Sequence, residues 1–345
     1  MSIDAALSRR RLLAAGGAMG LTALLAACGN NDGEDDAGDD KGGGKSGRFT
    51  FKDDRGKTVA LDQHPDTVVA YVSTAAALHD YGIQCKAIFG PSKPVAGKPN
   101  PQAGDLDLDK VTSLGEEWGQ FNVEKYASLE PDVLISNMFP PPKLWSVPDD
   151  SSKKIYALAP SIGIKGSNTT LLDPLRRYEE LATALGADLK AKKVTDAKAR
   201  FKRAEQRLRA AAKAAKGRGG VRVLALTGDD DNMYVAVPDA YCDLHYFRDL
   251  GVDVVRGKKS DKWGFWEFLS WENADKYDAD LILLDNRTQS LPLADLKKKP
   301  TFARLPAVEA GRITPWAMEE RYSYAGFAPV LERLADAIQE AGSPG

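Results

Sequence analysis

From Ala187 to Lys216 the chain carries neither glycine nor proline, and Val194, Phe201, Leu208 and Ala215 recur along it at seven-residue steps. Ala197, Ala204 and Ala211 widen the same stripe, while lysine and arginine dominate elsewhere. This pattern predicts one long, straight amphipathic helix. A coiled-coil partner is one reading of the stripe. Because it is short and alanine-rich, packing against the chain's own domains is preferred. On both sides the pattern changes to short apolar runs alternating with helical segments, which argues for parallel α/β sheets. Two α/β lobes joined by a single helix is a restrictive architecture.

Ahead of the helix, Phe49 to Leu61 alternates around Asp54-Arg55-Gly56-Lys57 and reads as a β-hairpin. Thr67 to Tyr71 is a buried strand. Ser73 and Thr74 are expected to cap a helix that runs to about Tyr81 and ends at Gly82. Cys85 to Gly90, Val133 to Ser136 and Ile155 to Leu158 read as strands, and Asn122 as the cap of a helix over Val123 to Leu129. Leu175 to Leu185 is a helical run closed by Gly186. Beyond the long helix, strands are expected at Val221 to Leu226, Val252 to Val255, Asp280 to Leu284 and Ile313-Thr314. Helices are expected at Tyr241 to Leu250, Trp271 to Tyr277 and Phe327 to Ala341. The lobes are assigned to residues 49–186 and 218–345, with the bridging helix over 187–217.

The first residues read differently. Arg9-Arg10-Arg11 precedes an apolar run that ends at Leu25-Ala26-Ala27-Cys28, the layout of an export signal over residues 1–27. The paired arginines resemble a twin-arginine signal, and Leu-Ala-Ala-Cys resembles a bacterial lipobox, which implies lipidation of Cys28. Residues 28–48 are acidic and nearly devoid of apolar side chains, as expected of a disordered linker. The folded body is thus expected on the outer face of the cell membrane, tethered through its lipid. No later apolar run approaches the length of a span. Lysine and arginine number 47 against 49 aspartate and glutamate, so no basic face for nucleic acid is implied. Cys85 and Cys242 fall in different lobes and are expected as two separate, mostly buried thiols.

The order of segments resembles the iron-siderophore and vitamin B12 substrate-binding proteins of ABC importers, the class III periplasmic-binding fold. The resemblance rests on Pro65 to Tyr71 with Leu78, Gly82 and the strand to Gly90, and on Asn122-Val123-Glu124-Lys125 leading into Leu129-Glu130-Pro131-Asp132-Val133. It continues through Leu269-Ser270-Trp271-Glu272, Tyr277 to Ile282, and Leu305-Pro306-Ala307-Val308 through Ile313. The resemblance implies an α/β fold of two Rossmann-like lobes with parallel sheets, bridged by one long α-helix. It further implies that Glu124 and Glu272, at matching places in the two lobes, meet arginines of permease subunits. Alternatively, each carboxylate favours its helix N-terminus electrostatically.

A ligand is expected between the lobes, where loops leave the carboxyl ends of the strands. Aromatic residues gather at those loops. They are Tyr71, Trp118, Phe139 and Trp145 in the first lobe, then Tyr234, Trp263, Phe265, Trp266, Trp316, Tyr322 and Tyr324 in the second. Such faces suit a bulky, partly apolar, metal-bearing organic ligand; for any one of them the alternative is ordinary core packing. Trp118 and Trp263 are preferred because both sit in glycine-containing loops. Arg287 and Arg321 are candidates to hydrogen-bond oxygens that coordinate iron, the alternative being surface charge. His64, His79 and His245 do not form a ligand set, so no metal site is expected and direct metal capture is disfavoured. The absence of a phosphate-binding glycine motif or a nucleophile elbow argues against an exported enzyme. The expectation is a monomeric, non-enzymatic importer subunit without a cofactor. Its ligand is a ferric siderophore of hydroxamate type, with cobalamin or haem as the alternative.

Overall fold

The alternating run that opens the body folds as the expected hairpin, β1 (Phe49–Lys52) against β2 (Thr58–Leu61), antiparallel. Asp53 holds its turn, accepting from the backbone N–H groups of Arg55 and Lys57 at 3.0 Å each and pairing with Arg55 Nε at 2.6 Å. The same carboxylate accepts from Gly163 N at 3.0 Å, which fastens the hairpin to the first lobe. These coordinates are a computed structural model and describe residues 47–342, apart from 96, 98, 259 and 260. Cys28, the signal and nearly all of the linker lie outside the described residues.

The first lobe is built on five parallel strands in the order β5-β4-β3-β6-β7. They are β3 (Val68–Tyr71), β4 (Ala87–Phe89), β5 (Thr112–Ser113), β6 (Val133–Met138) and β7 (Ser161–Lys165). Between them run α1 (Val72–Asp80), α2 (Val123–Ser128) and α3 (Ser152–Leu158), with α4 (Leu172–Ala184) after β7. Strands β3, β4 and β6 are buried throughout, as continuous apolar runs covered on both faces should be. Gly90, just after β4, has φ +97°, and a Cβ there would lie 2.4 Å from the Tyr71 ring. No other residue fits that close approach.

The bridging helix is α5 (Lys192–Lys216), buried along Val194, Phe201, Ala204, Leu208, Ala211, Ala212 and Ala215. It begins five residues later than the composition suggested. Asp188 accepts from Lys190 N at 2.8 Å, an Asx turn that competes with helix at that point. The closing helix α10 (Tyr324–Ala341) runs along α5, joined by Arg200 to Glu332 at 2.9 and 2.6 Å and by Arg207 to Asp336. The stripe is therefore covered from within the chain.

In the second lobe the sheet is mixed, which corrects the expectation of parallel strands alone. Its order is β11-β9-β8-β12-β13, from β8 (Arg222–Gly228), β9 (Asn232–Ala236), β10 (Asp253–Val254), β11 (Trp266–Ser270), β12 (Leu281–Asp285) and β13 (Ile313–Trp316). β10, β12 and β13 run parallel, whereas β9 is antiparallel to both β8 and β11. The strand β11 escaped notice because its alternation is inverted. Glu267 points inward to meet Lys276 and Tyr277 Oη, while Phe268 is half exposed. Helices α6 (Cys242–Asp249), α7 (Leu293–Leu296), α8 (Pro300–Ala303) and α9 (Pro306–Glu309) complete the lobe.

Three local expectations are corrected. Ile155 to Leu158 is helix, started by the Asp149 carbonyl, which accepts from Ser152 N and Oγ, and the strand lies instead at Ser161–Lys165. Ser73 and Thr74 do not cap α1; they are buried inside it, and Tyr71 precedes it without a capping side chain. Trp271 to Tyr277 is helical only as a 3-10 turn over Trp271–Asn273. Asn122 does cap α2, its side chain accepting from Lys125 N at 2.9 Å. Cys85 and Cys242 are separate buried thiols.

After β13 the chain returns to the first lobe before α10 begins. Arg321 Nε donates to Asp80 at 2.8 Å, Tyr322 Oη to the Gly166 carbonyl at 2.9 Å and Ser323 Oγ to Asp80 at 2.5 Å. The lobes are thus linked through α5 and again through this strap.

Candidate functional site

At the carboxyl ends of the strands, a cavity of about 520 Å³ lies between the lobes. One wall follows β6, where Phe139, Pro140, Pro141 and Pro142 run into Lys143, Leu144 and Trp145. Proline has little freedom to lose, so this wall is stiff. Trp118 stands at its rim, 46 % exposed, with its ring centroid 4.4 Å from that of Trp145, and Phe139 meets Trp145 at 5.3 Å. The opposite wall comes from the turn before β11. Asp261 shapes this turn, accepting from Trp266 N at 3.0 Å and Trp263 N at 3.3 Å. Trp263 is 56 % exposed there, Phe265 and Trp266 lie deeper, and Met318 contributes a flexible thioether.

The cavity is poor in charge. Lys143 and Asp149 line it and pair with each other at 2.6 Å, and Asp261 is taken up by its own turn. Lys262 lies 4.8 Å over the Trp263 ring. Among the described residues there is no group of three or more histidine, cysteine, aspartate or glutamate side chains able to hold a metal ion. The site is built to bury apolar and aromatic surface.

Six of the residues expected at the cleft line the cavity, namely Trp118, Phe139, Trp145, Trp263, Phe265 and Trp266. The others do not, and each has a physical reason. Tyr71 is fully buried, hydrogen-bonded to Glu319 and, at 2.6 Å, to Gln102 Nε2. Burial pushes its phenol well above the ordinary tyrosine value, and Glu319 adds to the rise. Arg287 is buried between Asp285, at 2.7 to 3.0 Å, and Glu319. Burial alone would lower its pKa, but the two carboxylates outweigh burial and raise it, so it is a fixed internal cation. Arg321 is engaged by Asp80, Asp105 and Glu320 at the strap. Tyr322 is buried between the lobes, where its hydroxyl also meets Cys242 Sγ at 3.2 Å. Tyr234 faces the outer side of the second sheet, bonded to Asp229 and packed on Phe268 at 4.8 Å. Trp316 and Tyr324 are likewise packing residues, against Tyr241 and Phe201 respectively.

Sequence reasoning missed Met318 and the proline wall. A Phe-Pro-Pro-Pro run directly after a buried strand was available as a signal; nothing in the sequence pointed to Met318. Glu124 and Glu272 are both exposed, each in the first turn of its short helical segment. The Glu272 carboxylate is held below its usual range by its own backbone N–H and the Ser270 hydroxyl.

Residues 69–317 match the model of a family described as periplasmic binding protein. The chain belongs to that family. Its members are binding proteins. The crystal structure of DesE, a ferric-siderophore receptor protein from Streptomyces coelicolor, shares 50 % identity with this chain at a TM-score of 0.80, covering 84 % of this chain and 98 % of that one. FeuA of Bacillus subtilis, a triscatecholate siderophore binding protein, has the same fold at 18 % identity and a TM-score of 0.62, over 84 % and 98 % of the two chains. The iron(3+)-hydroxamate-binding protein FhuD of Bacillus subtilis strain 168 is 29 % identical over 56 % of this chain. The match spans 58 % of that relative's length.

Proposed function

We propose that this periplasmic binding protein captures a ferric siderophore of hydroxamate type in the inter-lobe cavity and delivers it to an ABC permease. The observation that carries the reading is the cavity itself, lined by six tryptophan and phenylalanine rings and a proline wall, with Lys143 of its described lining paired to Asp149. A ferric trihydroxamate is nearly neutral and bulky, so aromatic faces gain area from it without an uncompensated charge to desolvate. A ferric triscatecholate is highly anionic and would need a basic cluster, which the described lining lacks. Likeness to the Streptomyces coelicolor ferric-siderophore receptor supports a ferric siderophore as the ligand, and likeness to the iron(3+)-hydroxamate-binding protein of Bacillus subtilis supports the hydroxamate type.

Trp118, Phe139, Trp145, Trp263 and Trp266 are the proposed ligand contacts. Cys28 is the proposed lipid anchor, holding a monomer to the outer face of the membrane. Glu124 and Glu272 are the proposed permease contacts. The lobes are assigned to residues 49–186 and 218–345 on either side of the bridge. The test is calorimetric titration of the purified protein with ferrioxamine B, ferrichrome, a ferric triscatecholate, cobalamin and haem. Tight binding of a trihydroxamate and weak binding of the other three classes is expected. Selective binding of cobalamin or haem would replace the reading.

A further inference from the structure

The Pro-rich wall of the cavity carries an unpaired hydrogen-bond donor. Trp145 lines the cavity, and its Nε1 is buried without a partner among the described residues. Ser146, the next lining residue, has a buried hydroxyl that is also unpaired and a backbone φ of +60°. A non-glycine residue in the left-handed region and two consecutive unsatisfied polar groups are each unfavourable, and such features concentrate where a ligand is recognised. The backbone around them is firmly held. Trp145 N donates to the Asn137 carbonyl at 2.8 Å, the Trp145 carbonyl accepts from Ser136 Oγ at 3.0 Å, and Leu144 bridges to Met138. The side chains are therefore presented by a fixed loop. The ring nearest Trp145 on the solvent side is the half-exposed Trp118.

We propose that the Trp145 indole N–H is a specificity-determining donor. When a ligand edge displaces Trp118, this group donates to an iron-bound oxygen of the chelate. The inference rests on the siderophore reading above. Oxygens bound to ferric iron in a hydroxamate carry partial negative charge and project at the surface of the complex, so they accept well. An indole N–H supplies a directional contact and adds no charge to a neutral site. The Ser146 hydroxyl, on the next residue of the loop, is a second uncharged donor without a partner among the described residues. Acceptors rather than formal charge would then select among chelates of similar size.

The test replaces Trp145 by β-(3-benzothienyl)alanine, which keeps the bicyclic ring and puts sulfur where the N–H was. A thermal melt within the parent's range shows that packing is retained. Affinity for ferrioxamine B should fall about tenfold, the effect of losing one good hydrogen bond in a desolvated site. With the diamagnetic gallium complex of the same chelator, the indole N–H resonance of Trp145, assigned through Trp145→Phe, should move strongly downfield. If the parent binds ferrioxamine B and the Trp145 isostere binds it equally well with no such shift, the donor role is overturned while the binding function stands. If the parent binds no trihydroxamate, both readings fall together.

Discussion

Tyr71, the last residue of β3 in the first lobe, donates its phenol hydrogen to Glu319 of the second. Gln102 Nε2 donates to both of them at 2.6 Å, and Arg287 closes the cluster from the other side of Glu319. All four side chains are buried, and Glu319 follows Met318 of the cavity lining in the chain. They tie the two lobes together and lie outside the cavity lining.

Tyr71→Phe should therefore separate stability from binding. Removing the hydroxyl leaves Glu319 with two of its three donors, so the unfolding free energy in urea should drop by about 1–2 kcal/mol. Affinity for ferrioxamine B should stay within about twofold of the parent's. A large affinity loss with unchanged stability would return Tyr71 to the ligand site.

Trp118→Ala and Trp263→Ala should behave in the opposite way. Both rings are about half exposed on facing walls, so their removal should barely move the melting temperature. Each should weaken ferrioxamine B binding by about 1–3 kcal/mol, as for an aromatic anchor desolvated on binding. Unaltered affinity in both variants would remove these rims from the site.

The two carboxylates proposed to meet the permease allow capture to be told apart from delivery. A Glu124→Ala, Glu272→Ala double variant should bind ferrioxamine B like the parent yet fail to restore iron uptake in a deletion strain. Charges buried on docking are strongly destabilising when one partner is lost, whereas rim charges mainly affect association rate. Full restoration of uptake by the double variant would end the docking assignment.

Asp243 gives a pH signature. Burial pushes its carboxyl up to about 6, against the lowering effect of the 2.7 Å hydrogen bond from Trp316 Nε1. Unfolded, it titrates near 3.9. A carboxyl raised in the folded state adds stability that is fully present below the unfolded value and disappears as pH rises through the folded one. Asp243→Asn removes this titration, although its amide must face one of two N–H donors, Trp316 Nε1 or Leu244 N. The variant's unfolding free energy relative to the parent should thus climb by about 2–3 kcal/mol between pH 4 and 6 and level off above pH 7. A difference that does not change with pH would contradict the burial of a charged Asp243.

Binding should produce only small lobe rotations. Besides α5, the strap from Met318 to Ser323 ties the lobes through Asp80, Gly166 and the Glu319 cluster. Opening a cleft by a large hinge would break those buried bonds. X-ray scattering with and without ferrioxamine B should give nearly the same radius of gyration; marked compaction would count against a preformed site.

Features written in local sequence could be read directly. The seven-residue stripe of α5, the Asn122 cap and the first-lobe apolar strands each carry their cause within a few residues. The aromatic rims at Trp118 and Trp263 were legible for a similar reason, since glycine-bearing loops at strand ends expose their side chains. What stayed hidden depends on partners far away in the chain. Arg287 reads like a free ligand-binding cation until Glu319, 32 residues further on, is seen beside it, and Tyr322 reads like a cleft ring until Gly166 accepts its hydroxyl. The antiparallel edge was hidden because Glu267 takes the inward position that an apolar residue normally holds.

The strap also sets an order of events during synthesis. Tyr71, Asp80 and Gly166 emerge from the ribosome long before Glu319, Arg321, Tyr322 and Ser323 are made. The first lobe can form its sheet early, but its inner face must wait for the last stretch of chain before α10. Contacts of such long sequence separation are slow to close and leave apolar surface uncovered meanwhile. A nascent chain stopped at β13 would therefore be an unfinished first lobe as well as a truncated second one, and a ready client for chaperones and proteases.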